Sequence, residues 1–270
     1  MRKYVLVILI IIGLVAGVYV ATRSRICPLD TAPNLEGQHK DDAINKAFKL
    51  LKVRKDTEAL VIFEEVLFAQ PQNLDALWGK AEVLRRGYQF KEAEKILKRI
   101  LEKNPNHLPS LNNMAFIRYK EGRLNEALKI VNLILNNPRL DKENQAFAYL
   151  TIGTINSSRT AKGKFFTKIQ YGRQIKRYFD KANGLCPELA EVHLCLGMFF
   201  LKAPQLAGGN LNKAIKELEL ALKIAPDFAM ANARLAQAYK KKGNLEKYNY
   251  YLERAKELDP DGEVLKECEI

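Results

Sequence analysis

From about residue 40 onward, apolar residues recur at helical spacing, and the pattern itself repeats. Small residues stand at Ala47, Ala81 and Ala115, 34 positions apart each time. A second set, Ala59, Ala93 and Ala127, follows twelve residues behind the first. Each member of the second set is trailed by a bulky apolar residue four places on (Phe63, Leu97, Val131) and another three further (Val66, Ile100, Ile134). Spacings of four and seven put these side chains on one face of a helix. Leu77, Ala81 and Leu84 share a face in the same way. Every unit therefore predicts two helices that approach closely at their small residues. A tight turn separates them, signalled by Arg86-Gly87, Glu121-Gly122 and Gly243-Asn244. Pro71, Pro105 and Pro138 close the second helices, because proline cannot continue the backbone ladder.

The period stretches further on. Pro138 to Pro187 is 49 residues and Pro187 to Pro226 is 39, with Gly153 and Gly197 in the small position of the first helix. This predicts units at 40–73, 74–107 and 108–141, expanded ones at about 142–189 and about 190–228, and a regular one at 229–262. In the first expansion the added residues fall before Gly153 and around Ser157 to Tyr171. In the second they fall at Lys202 to Gly209, with Asn210 placed to cap a helix. Residues 263–270 read as a tail, short for a separate capping helix.

Segments 111–138 and 231–260 resemble tetratricopeptide repeats. The matching signs are the small first-helix residue, Tyr119 or Tyr239, Gly122 or Gly243 at the turn, and the closing Asp259-Pro260. Trp78 stands one place from the usual aromatic, and Tyr248 replaces an alanine. The resemblance implies an all-α fold, a right-handed solenoid of helix-turn-helix repeats. It also implies a concave face lined by first helices, with Trp78, Glu82, Asn112, Phe116 and Tyr119 directed toward it. Aromatic and amide groups there suit an extended peptide or a partner helix. The stretch from Leu206 to Ala214, with the long repeat before it, is similar to the helical component of tripartite periplasmic transporters. The alternative it implies is an accessory of solute transport.

The first residues are of a different kind. Arg2 and Lys3 precede eighteen uncharged residues, Tyr4 to Ala21, and Arg23 and Arg25 follow. A helix of that length covers about 27 Å, close to the hydrocarbon thickness of a bilayer. The apolar run exceeds that of a cleaved signal and lacks a small-residue cleavage site, since Tyr19 stands two places before Ala21. Residues 1–24 are thus read as an uncleaved anchor, 25–39 as a linker, and the repeats as lying outside the cytoplasm.

Composition narrows the chemistry. The 270 residues carry 44 Lys and Arg against 31 Asp and Glu, and the four cysteines are too few for a disulfide scaffold. No phosphate-cradling loop, dinucleotide fingerprint, zinc-protease or nucleophile-elbow motif occurs, so neither an enzyme nor a cofactor is expected. Cys186, His193 and Cys195 match no metal-ligand spacing. Between residues 153 and 187 there are eight cations (Arg159, Lys162, Lys164, Lys168, Arg173, Lys176, Arg177, Lys181) against Asp180 alone. Phe165, Phe166, Tyr171 and Tyr178 are interleaved with them. This is either a solvated helix face or a docking surface for an acidic partner or anionic lipid headgroups. Nucleic acid is not an expected partner outside the cytoplasm.

Overall fold

The computed structural model describes the backbone of residues 37–163 and 165–268, and the side chains of 42–163 and 171–268. The expected membrane span at 4–21 lies outside these residues, and among those described no helix is long and apolar enough to cross a membrane. The side chains of Lys164, Phe165, Phe166 and Lys168 are likewise outside the description.

Residues 41–270 form one compact unit. The described chain is helical throughout, in six pairs: α1 (Gly37–Lys52) with α2 (Asp56–Ala69), α3 (Leu74–Arg86) with α4 (Phe90–Lys103), and α5 (Leu108–Lys120) with α6 (Leu124–Leu135). There follow α7 (Lys142–Lys162) with α8 (Phe165–Leu185), α9 (Ala190–Lys202) with α10 (Leu211–Ile224), and α11 (Ala229–Lys242) with α12 (Leu245–Leu258). A short helix, α13 (Glu263–Cys268), ends the series. Each pair packs along its own hairpin and against the next pair, so the architecture is a tetratricopeptide-like solenoid.

The periodic residues are its core. All twelve positions of the regular ladder, from Ala47 and Ala59 to Ile134, are at most 2% exposed. Glycine replaces alanine where the contact is tighter still. A Cβ on Gly153 would lie 2.3 Å from the Phe179 ring, and one on Gly197 would lie 2.6 Å from Leu218. Helix starts are fixed by side-chain caps: Asn73, Asp141, Asn210 and Asn244 each accept a hydrogen bond from the backbone N–H three residues on. Pro71, Pro105, Pro138, Pro187, Pro226 and Pro260 each follow the end of a second helix within three residues.

Two local features take form. The extra residues of the long fourth repeat lengthen both helices, and α7 and α8 have 21 residues each. Each is about 11 Å longer than a 14-residue neighbour. Residues 263–268, too short on sequence grounds for a capping helix, do form one. Val264 and Cys268, one helical turn apart, both bury against the last repeat.

The turns inside the pairs share one geometry. After α1, α3, α5 and α11 a 6→1 backbone bond (Lys55 to Leu50, Gln89 to Leu84, Arg123 to Arg118, Asn244 to Tyr239) encloses a shorter 5→2 bond. This is the Schellman C-cap, whose C′ residue takes a left-handed backbone. Gly122 and Gly243 occupy that place at φ 77°, but the first two repeats put Arg54 (φ 68°) and Tyr88 (φ 60°) there. The turn expected at Arg86-Gly87 is thus one residue later, since Gly87 has φ −81°. A side chain in this conformation costs roughly 1–2 kcal/mol, which a glycine avoids.

Candidate functional site

The first helices of the pairs line a groove, and the structure brings all five concave-face candidates to it. Trp78, Glu82, Asn112, Phe116 and Tyr119 border a single cavity of about 1410 Å³. Trp78 packs on Phe48 with ring centroids 5.6 Å apart, half-buried, and its Nε1–H has no partner. Phe116 lies between the rings of Phe90 and Tyr119, at 6.5 and 6.1 Å. The Arg85 guanidinium stacks on it at 4.5 Å. Asn112 donates to both the backbone and side-chain oxygens of Asn144, at 3.2 and 2.9 Å, which ties α5 to α7.

Glu82 is the most constrained of the five, at 5% exposure. Its carboxylate accepts from Arg85 (2.9 and 2.6 Å) and from Arg86 (2.5 Å). Burial alone would raise its pKa, but the charges of Arg85 and Arg86 outweigh that and hold it far below the carboxylate range. Arg86 in turn donates to Asp56 at 2.7 Å and to the Leu51 carbonyl at 2.8 Å.

This network continues across the groove. Arg54 reaches Glu191 of α9 at 2.5 Å and covers the Phe228 ring at 3.8 Å. Burial opposes the ionised form of Glu191 too, and the Arg54 and Arg86 charges reverse it, leaving its pKa lowered. One repeat along, the Tyr88 hydroxyl donates to Glu267 of α13 at 2.6 Å, and Lys120 meets the same oxygen at 2.5 Å. Among the described residues, Arg54 and Tyr88 are the two side chains held in left-handed backbone. Their strain is offset by contacts that join the first repeats to the last ones.

None of these bridging residues follows from the repeat pattern. Arg54 and Tyr88 could have been flagged as the members of the series 54, 88, 122 that are not glycine. Glu82 with arginines three and four places on is a recognisable helical ion-pair spacing. Glu191 and Glu267 carry no such sign.

Of the basic candidates, Arg159, Lys162, Arg173, Lys176, Arg177 and Lys181 lie on α7 and α8 and do not border the cavity. Lys162, Arg173, Arg177 and Lys181 are exposed. Arg159 donates to Asn125 and covers Tyr171 at 5.1 Å. Lys181 sits over Tyr149 and Tyr178 at 4.9 and 5.6 Å, and Lys176 pairs with Asp180. Cys186, Cys195 and Cys268 are free thiols, and no group of His, Cys, Asp and Glu among the described residues is arranged to hold a metal ion. His193 is occupied instead by Glu217 at 2.7 Å and the Pro187 carbonyl at 2.8 Å.

The tetratricopeptide repeat model matches residues 57–111 and 84–147. No curated protein sequence matches the chain. Among solved structures, the human IFIT1 dimer with m7Gppp-AAAA has a TM-score of 0.58 at 19% identity, over 80% of this chain and 50% of that one. The likeness shows the fold, and this chain spans about half of IFIT1. PilF of Pseudomonas aeruginosa matches at TM-score 0.44 and 19% identity, over 84% of this chain and 95% of its own. PilW, a type IV pilus biogenesis factor, matches at 0.47 and 17%, over 87% and 100%.

Proposed function

We propose that the chain is a non-enzymatic scaffold of the cell envelope, held in a membrane by residues 4–21 with its repeats outside the cytoplasm. Its groove takes a peptide or helix of a protein partner. The observation that carries this is the convergence of Trp78, Phe116 and Tyr119 on one large cavity. Three half-buried aromatics with a polar surround are what a recognition groove needs. In this reading Glu82 serves the groove indirectly, since Arg85 and Arg86 of its own helix engage its carboxylate, and the Asn112 amide N–H donates to Asn144 of α7.

The m7Gppp-AAAA seen with IFIT1 is not carried over. Arg54, Arg85, Arg86 and Lys120 border the cavity, and each has a carboxylate within 3 Å. Phosphates would have to displace those partners. Acidic residues outnumber basic ones around the cavity, which suits a protein segment better than an RNA backbone. The basic face of α7 and α8 serves as a second docking surface, for an acidic protein or anionic headgroups.

A photoreactive residue at Phe116, introduced into the full chain in native membranes, tests the groove. The expected result is a saturable crosslink to a discrete protein that is absent when the probe stands at exposed Leu133. Equal crosslinking at both positions overturns the reading. Removal of residues 1–24 is expected to release the chain from the membrane fraction, and retention there overturns the anchor.

A further inference from the structure

The helix α13 occupies one end of the groove, and its hold there is slight. It has six residues, under two turns, and an isolated helix so short does not persist in water. It joins α12 through Gly262 at φ 69°. Val264 and Cys268 bury against Ala233, Ala255, Met230 and the Tyr88 ring, and Leu265 packs half-buried beside them. Other ties are polar. Glu267 meets Tyr88 and Lys120, and Gln237 donates to the Cys268 carbonyl. Glu267 itself remains open to water.

The receiving surface is more elaborate than a six-residue cap requires. Lys120 lies 5.2 Å from the Tyr88 ring centre and 5.7 Å from that of Phe116, so a cation and a hydroxyl are set against an aromatic wall. Arg234, 3% exposed, is close enough for its charge to stabilise the Glu267 carboxylate, yet its Nε has no hydrogen-bond partner. The cavity continues past α13 to Phe116 and Tyr119. Tyr88, moreover, holds a strained backbone conformation at a turn where two sister repeats use glycine. From that turn the Tyr88 ring packs on the terminal apolar cluster and its hydroxyl donates to the Glu267 carboxylate.

We propose that α13 is a displaceable occupant of the groove. Its place is taken by a partner's amphipathic helix of the same chemistry, with apolar residues one turn apart and a carboxylate directly before the second. The carboxylate lodges between Tyr88 and Lys120, and the apolar pair covers Ala233 and Met230. The chain thereby shields its own binding surface until a helix that also reaches Phe116 and Tyr119 outcompetes the shorter internal one. This rests on the groove reading above and adds the partner's chemistry and its regulation.

Two measurements on the full chain test it. First, a fluorescent peptide of residues 259–270 carrying Cys268→Ser is titrated against the unaltered chain and against Val264→Asp, which removes an apolar anchor of α13 but leaves the receiving surface intact. At least tenfold tighter binding to Val264→Asp is expected, and adding Lys120→Ala should abolish that gain. Equal binding to both chains overturns the proposal. Second, alkylation of Cys268 in the otherwise native chain reports how often α13 leaves. Tyr88→Phe removes a hydrogen bond to a carboxylate without changing any charge. It is expected to speed Cys268 alkylation about tenfold while leaving buried Cys186 unchanged. An unchanged Cys268 rate, or a parallel rise at Cys186, overturns it. The Phe116 crosslink separates the two readings. A partner captured there equally by the unaltered and Val264→Asp chains leaves the groove and removes the plug. Peptide binding without any Phe116 partner leaves the plug and removes the scaffold.

Discussion

The groove and the α7–α8 pair hold positive charge in opposite ways. In the groove Arg54, Arg85, Arg86 and Lys120 are each bound to a carboxylate, and the ion pairs of Arg54 and Lys120 join distant repeats. On α7 and α8, Lys176 pairs with Asp180, the one acidic residue from 153 to 187, while Arg159 and Lys181 lie on tyrosine rings and Lys162, Arg173 and Arg177 are exposed. The difference teaches that the basic excess of the chain is not a single property. The named groove cations are held in ion pairs within the fold, whereas most of those described on the long hairpin have no carboxylate partner.

Substitutions break or sharpen that contrast. Glu82→Ala leaves Arg85 without a carboxylate and Arg86 with Asp56, and is expected to cost about 3 kcal/mol, read as a fall in denaturant midpoint at unchanged slope. Gly153→Ala strikes the base of the hairpin, where the new methyl must displace Phe179. A loss of about 1–3 kcal/mol is expected in the same measurement.

Acid separates the regions next. Glu82, Glu191 and Glu267 all have pKa values lowered in the folded chain. Their contribution is complete above the unfolded glutamate value of about 4.3 and lost as pH falls below it. Thermal stability should therefore decline below about pH 4, and less steeply in Glu267→Gln. A flat profile from pH 6 to 3 would contradict the structural role of these pairs. The smallest effect on stability belongs to Arg173→Ala with Arg177→Ala, under about 0.5 kcal/mol for each. The same pair should weaken binding of the chain to vesicles containing anionic phosphatidylglycerol about tenfold or more, an effect erased by high salt. Unaltered vesicle binding would reduce the basic face to a solvated one.

The solenoid was legible because its signal is local and repeated. Alanines 34 apart, with bulky residues four and seven places on, can only pack if helices pair in the same way each time. Trp78, Phe116 and Tyr119 could be placed toward the groove for the same reason, by position within the unit. What could not be read was the curvature of the array. Arg54 meets Glu191 across 137 positions only because the repeats curl far enough, and that angle depends on how far each helix pair is rotated on the last. The length of α7 and α8 was visible as a lost period. Its form, two longer helices, depended on α8 beginning at Phe165, within three residues of the end of α7 at Lys162.

Arrays whose units touch only their neighbours fray from the ends and melt in stages. Here Arg54 and Glu191, 137 positions apart, couple the first unit to the fifth. Unravelling the first unit therefore forfeits contacts far along the array. Apart from the displaceable terminal helix, a single melting transition, with folding slowed by the distant pairing that must close before it completes, is the behaviour to which a turn residue that is not glycine commits this chain.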